Sequence, residues 1–128
     1  MEWLTFIILE GALVAFFVLI RLILVRPETA REWLKKGAIV VDVRSEAEFH
    51  EWHLPGAENI PLDRLRDQKI RVAPNRNQPL LLHSRSGTRS GMGKVLLRRL
   101  GYPNVFNLGW YGRAERILGA QSEVERKG

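Results

Sequence analysis

The chain of 128 residues contains no cysteine, which excludes disulfides and thiolate metal sites. Only three histidines are present, His50, His53 and His83, and without cysteine they do not assemble a Cys/His zinc site. No metal and no cofactor is therefore expected. No periodic repeat or low-complexity block interrupts the chain, and its length suits one domain with an extension. Acidic residues are the minority: 14 Asp and Glu stand against 20 Lys and Arg, for a net charge of +6 and a pI of about 10.3. Hydrophobic residues make up 45% and charged residues 27%, a balance that suits a packed core and not global disorder.

The longest apolar run is Trp3 to Val25. At about 1.5 Å per residue it reaches across a hydrocarbon core of about 30 Å. It lacks the marks of a secretory signal. No basic residue precedes it, and Arg26-Pro27-Glu28 follows in place of a small-residue cleavage site. The run reads as a single transmembrane anchor through residues 3–25; a buried helix of the soluble domain is the plainer alternative. Arg21, Arg26, Arg31, Lys35 and Lys36 all lie at or after its C-terminal end. That bias predicts a cytoplasmic C-terminal part, with Met1 outside. The same residues can lie on anionic headgroups, and Arg21 is near enough to the inner interface to snorkel. Glu10 sits inside the run. It reads either as a helix–helix contact, with Gly11 and Ala15 at small-xxx-small spacing and a homo-oligomer as the result, or as a protonated glutamate near the outer interface. The expected organisation is an anchor over 1–26, a domain over 27–120 and a polar tail over 121–128.

Beyond Pro27 the pattern alternates. Thr29 to Lys36 predicts a short helix anchored by Trp33 and Leu34 and stopped by Gly37. Ala38 to Val43 predicts a strand buried on both faces. Ser45-Glu46-Ala47-Glu48 has capping-box spacing, so a helix should start at Ser45. Asn59-Ile60 predicts a short strand. Leu62 to Ile70 predicts an amphipathic helix on Leu62, Leu65 and Ile70. Val72 to Pro79 is a loop. Leu80 to His83 is the central strand, Gly87 to Leu100 a helix, Asn104 to Leu108 the last strand, and Arg113 to Leu118 a closing helix. Ala120 to Gly128 is polar and expected to fray. Strands alternating with helices imply an α/β fold, a parallel sheet covered on both faces, preceded by one N-terminal helix.

The stretch Ser84-Arg85-Ser86-Gly87-Thr88-Arg89-Ser90 joins the central strand to a helix. Backbone N–H groups converge on such a loop, and the helix dipole adds positive charge there. Gly87 lets the backbone curl, and Arg85 and Arg89 add fixed charge. The residues spell an anion cradle with Ser84 at its mouth. It lies beyond the carboxyl end of a strand, where ligands gather in open α/β sheets.

This loop resembles the active-site loop of the rhodanese family, with serine where the family's sulfurtransferases have cysteine. Its six residues from Ser84 to Arg89 have the sulfurtransferase length; the related cell-cycle phosphatases use a longer loop. A second stretch resembles the family's N-terminal signature: Asp42-Val43-Arg44, Glu48-Phe49, His53-Leu54-Pro55-Gly56-Ala57 and Asn59-Ile60-Pro61. Trp52 stands where the family commonly has glycine, and it would be strained if that position needs positive φ. Gly109-Trp110-Tyr111-Gly112 resembles the turn after the family's last strand. The likeness runs from about Thr29 to Leu118. It implies a rhodanese-like fold, with Asp42, Arg44 and His53 as a hydrogen-bonded scaffold behind the site and a direct catalytic role as the alternative. His83 is expected to be packed or hydrogen-bonded at its strand end, with proton transfer as the sharper alternative. Arg113 is expected on a solvated helix face, with the anion site as its alternative.

The resemblance further implies thiosulfate or a protein persulfide as reactant. In the family the loop cysteine takes the outer sulfur of a donor as a persulfide and passes it to an acceptor, with Arg85, Ser86, Gly87, Thr88 and Arg89 here in the anion-holding positions. An amide cradle makes a thiol reactive near neutral pH but does not usefully ionise a hydroxyl, and oxygen does not hold a sulfane sulfur as a stable intermediate. The chain as written is expected to bind an anion without transferring sulfur. Both a replaced cysteine and a naturally inactive relative fit. A non-catalytic anion-binding or regulatory module at the membrane is the alternative function. A phosphatase would also lack its cysteine. The basic residues are scattered among acids without an aromatic platform, so no nucleic acid is expected and anion steering suffices.

Overall fold

The computed structural model describes the backbone of residues 1–66 and 73–127, and their side chains apart from Arg21 and 120–127. The helix α1 spans Glu2–Ile23. Its stretch Glu2–Ile20 is long and apolar enough to cross a membrane, and none of it is buried within the chain. The side chain of Arg21, expected to snorkel, lies outside the described residues.

Three residues separate α1 from α2, Pro27–Lys35, which starts two residues earlier than expected. Proline suits that first helical position because its missing N–H has no intrahelical acceptor anyway. Next come β1 (Ile39–Asp42), α3 (Glu46–Glu51), β2 (Glu58–Asn59), a 3₁₀ turn at Leu62–Arg64, β3 (Leu80–Ser84), α4 (Thr88–Arg99), β4 (Val105–Trp110) and α5 (Tyr111–Lys127). Ser45 caps α3 as predicted. Its Oγ accepts from Glu48 N–H, and Glu48 Oε1 accepts from Ser45 N–H.

The strands form one sheet in the order β2-β1-β3-β4, and every pairing is parallel. The carboxyl ends of all strands therefore share one edge. In β3 every residue is buried, and alternation sends its leucines to opposite faces. Leu80 and Leu82 join Val41, Leu97 and Val105 under α4 and the 3₁₀ turn. Leu81 joins Ala30, Leu108, Ala114 and Ile117 under α2 and α5. The pairing of β3 with β4 skips Leu108, so that Trp110 stands opposite Ser84.

Three expectations of secondary structure need correction. Leu62 to Ile70 does not begin as an α-helix: a 3₁₀ turn covers Leu62–Arg64, and 67–70 lie outside the described residues. Leu62 and Leu65 are three apart, a spacing that one 3₁₀ turn also brings to one face. The last strand runs through Gly109 and Trp110 instead of turning there, and α5 follows at once. Finally, α5 continues past Leu118 to Lys127. Residues 121–127 are mostly good helix formers, so the backbone has no cause to stop at Gly119.

The junction after α1 is tied to the sheet. Val25 N–H donates to Asn107 O (2.9 Å), and Arg113 donates to the carbonyls of Leu108 and Val25. Arg113 is thus neither solvated nor at the anion loop; it straps the α1–α2 junction to the end of β4.

Candidate functional site

The site stands where β3 ends and α4 begins. Gly87 caps α4 in the left-handed region, at φ 91°. A Cβ there would meet the backbone of Gly109 at 3.2 Å, so glycine is required by both torsion and space. The resulting curl folds the loop back over Ser84. Ser84 is fully buried, so it forms the floor of the loop and not its mouth. The exposed rim is made of Arg85, Ser86 and Thr88.

The Ser84 hydroxyl is fully engaged. Its Oγ accepts from Gly87 N–H (3.0 Å) and Ser90 N–H (3.2 Å). It lies 3.1 Å from Ser90 Oγ. Ser90 in turn donates to Gly87 O at 3.1 Å. Ser90 Oγ also lies 3.5 Å from Gly109 O, and the Ser84–Ser90 bond runs in either direction. A hydroxyl is not a base, so nothing here deprotonates Ser84. The neighbouring His83 is no substitute. It is fully buried beside Asp42, with Nε2 3.7 Å from Oδ2, and burial pushes its pKa below the ordinary value. It is packed against Tyr111, and among the described residues neither ring nitrogen has a hydrogen-bond partner that meets ordinary geometry.

The charges of the loop have a partner that sequence reading missed. Arg89 meets Glu48 through both carboxylate oxygens, at 2.7 and 3.0 Å. Arg85 Nε lies 3.3 Å from the same carboxylate. The Arg89 guanidinium, assisted by Ser45, holds the Glu48 carboxyl down at about 2. Glu48 correspondingly raises the pKa of Arg89. Two cations and one anion leave one net positive charge at the loop. Glu48 was legible as a capping residue and as part of the family signature; pairing across 41 positions leaves no local signal. Ser86 and Thr88 face each other on the rim, Oγ to Oγ1 at 3.3 Å.

Behind the loop, Asp42 and Arg44 form a fully buried ion pair at 2.8 Å. Arg44 Nη2 also donates to Trp52 O (2.7 Å), and its guanidinium lies 4.2 Å from the Trp52 ring centroid and 5.3 Å from that of Tyr111. Asn59 Nδ2 donates to the carbonyls of Asp42 and Arg44, each at 3.0 Å. These two residues form a hydrogen-bonded scaffold, as the resemblance implied for Asp42, Arg44 and His53. His53 stands apart from it, exposed, stacked on Phe49 at 3.8 Å. Trp52 has φ −167° and ψ 146°. That is ordinary extended backbone, so the expected strain at this position is absent. No group of three or more His, Cys, Asp or Glu side chains that could hold a metal ion occurs among the described residues.

With this geometry in hand, comparisons with known proteins are specific. The family model for the rhodanese-like domain matches residues 26–112. The chain is similar to the thiosulfate sulfurtransferase PspE of Escherichia coli (strain K12): 32% identical over 69 residues, covering 54% of this chain and 66% of that protein. It is also similar to the uncharacterized protein YqhL of Bacillus subtilis (strain 168), 35% identical over 73 residues, 57% of this chain and 56% of that one. The chain thus spans less than two thirds of these curated relatives. Among solved structures, a rhodanese with anions from E. coli superimposes with a TM-score of 0.57 at 28% identity, over 60% of this chain and 91% of that one. The human single-domain sulfurtransferase TSTD1 gives 0.60 at 29% identity, over 73% and 95%.

Proposed function

Because the chain belongs to the rhodanese-like domain family, we propose that it is a membrane-anchored sulfurtransferase scaffold whose nucleophile position is held by Ser84. As it stands it binds a small sulfur-containing anion such as thiosulfate, or a protein persulfide, without transferring sulfur. Arg85, Ser86, Gly87, Thr88 and Arg89 hold the anion at the N-terminus of α4, whose first N–H groups lack intrahelical acceptors. The anchor lies within residues 1–26 and ends before Val25, which is buried in the domain core; the domain is 27–120, and 121–128 a polar tail. The basic residues after α1 favour a cytoplasmic domain. Gly11 leaves open space on α1, which suits a homo-oligomer through the span.

One observation carries this reading: two backbone N–H groups converge on Ser84 Oγ. On a sulfur at that position they would stabilise negative charge and lower the thiol pKa. Such a thiolate attacks the outer sulfur of thiosulfate; the S–S bond breaks and sulfite leaves with the electron pair. Cyanide or a thiolate then takes the outer persulfide sulfur and releases the thiolate. Serine accepts the same N–H bonds but remains a neutral hydroxyl.

A second reading is a non-catalytic anion-binding or regulatory module. The absence of any thiol from the chain favours it. The full chain and its Ser84→Cys variant, supplied with thiosulfate and cyanide, distinguish the two. Thiocyanate from the variant alone supports the scaffold. No thiocyanate from either, with thiosulfate bound by both, supports the module. Thiocyanate from the serine form contradicts both.

A further inference from the structure

The helix α1 leaves the domain beside the candidate loop, and the strap at Val25 fixes it there. Across a cavity of about 680 Å³, Phe16 and Ile20 of α1 face Met92, Val95 and Trp110 of the domain. The domain's wall is apolar where a soluble helix is polar. Met92 is 59% exposed, Val95 51% and Trp110 41%. Thr88, Met92, Val95 and Arg99 share one outward stripe of α4. Leu97 and Gly93 fill its buried side.

Phe16 and Ile20 belong to the stretch that is apolar enough to span a membrane. With those two residues in lipid, a wall one cavity away stands at the lipid boundary. We propose that Met92, Val95 and Trp110 rest in the bilayer interface, with Lys94 and Arg99 reaching headgroup phosphates. This inference rests on the membrane-anchor reading above. Interfacial tryptophan is the usual depth marker of such contacts, and basic side chains at that level meet anionic lipid. Among the described residues, neither Lys94 nor Arg99 has an ion-pair partner. The consequence reaches the site, because Ser86 and Thr88 line the same cavity. The rim of the anion loop opens along the membrane surface, and a donor or acceptor confined to that surface meets it in two dimensions.

The lack of native cysteine makes the test direct. A nitroxide is attached to Met92→Cys or Val95→Cys in the full chain. The protein is reconstituted in vesicles of phosphatidylcholine and phosphatidylglycerol, at no more than one chain per vesicle. Collision with oxygen reports lipid, and collision with a water-soluble nickel chelate reports solvent. Phe17→Cys is the control within the span, and Glu58→Cys, on the far edge strand β2, is the control in water. The expected result is oxygen preference at positions 17, 92 and 95 and nickel preference at 58. Nickel preference at 92 and 95 with oxygen preference at 17 overturns the docking and leaves the anchor standing. Shielding of 92 and 95 from both reagents also overturns it, because protein then covers the face. Nickel preference at 17 shows that the anchor reading itself has failed, and the docking falls with it.

Discussion

Glu48 and Arg89 join the first turn of α3 to the first turn of α4 through two hydrogen bonds of 2.7 and 3.0 Å. The same carboxylate receives Arg85 and closes the Ser45 capping box. It is at once a structural clamp and the counter-ion of the loop.

Glu48→Gln therefore has two opposed effects. It removes a bidentate, partly exposed ion pair, and should lower stability by about 1–2 kcal/mol. It also frees both arginines, raising the loop's net charge by one, so thiosulfate or sulfate should bind more tightly at low salt. Thermal unfolding and a titration at two ionic strengths check the pair of outcomes.

The same carboxyl sets an acid limb. Its folded pKa of about 2 lies below the ordinary 4.5. The stabilisation is complete above 4.5 and is lost as pH falls towards 2. Denaturant midpoints measured across that range should fall for the parent chain and fall less steeply for Glu48→Gln.

His83 adds a limb at higher pH. Burial depresses its pKa below the ordinary 6.5. Below that value the unfolded chain takes up a proton that the folded chain does not, so stability declines as pH falls. In His83→Asn the decline just below pH 6.5 should flatten, whatever the variant's stability at neutral pH. An unchanged slope would remove His83 as its source.

Arg44→Met leaves Asp42 as an uncompensated buried charge. A cost of about 3–5 kcal/mol is expected, read by chemical denaturation. Asp42→Leu combined with Arg44→Met should be less damaging than Arg44→Met alone, because no charge is left unpaired.

Gly87→Ala forces a side chain into the left-handed region and against Gly109. A loss of about 1–3 kcal/mol is expected. Anion binding should fall with it, since the loop's amides lose their aim.

Much of the fold is local enough to read directly. Ser45 and Glu48 sit three apart, and that spacing alone specifies their reciprocal cap. The run Leu80 to His83 is buried on both faces, and both faces are covered. Elsewhere the local pattern was ambiguous or silent. Leu62 and Leu65 fit a 3₁₀ turn as well as an α-helix. Ser84 reads as a polar loop residue, yet the left-handed turn at Gly87 closes over it. Arg113 looks like any charged helix residue, because its acceptors, the carbonyls of Val25 and Leu108, carry no side-chain signature. The chemistry of position 84 follows from residue type; its contact with Ser90 Oγ, six positions on, needed the fold.

The proposed nucleophile position, whose serine does not carry sulfur, can be tested at residue 84 itself. The most direct test is the intact mass of the full chain and of Ser84→Cys after thiosulfate is added and then removed. The expected result is one added sulfur atom on Ser84→Cys, lost on addition of cyanide, and no change in the parent chain. An added sulfur on the parent chain, or none on Ser84→Cys although thiosulfate binds, would contradict it.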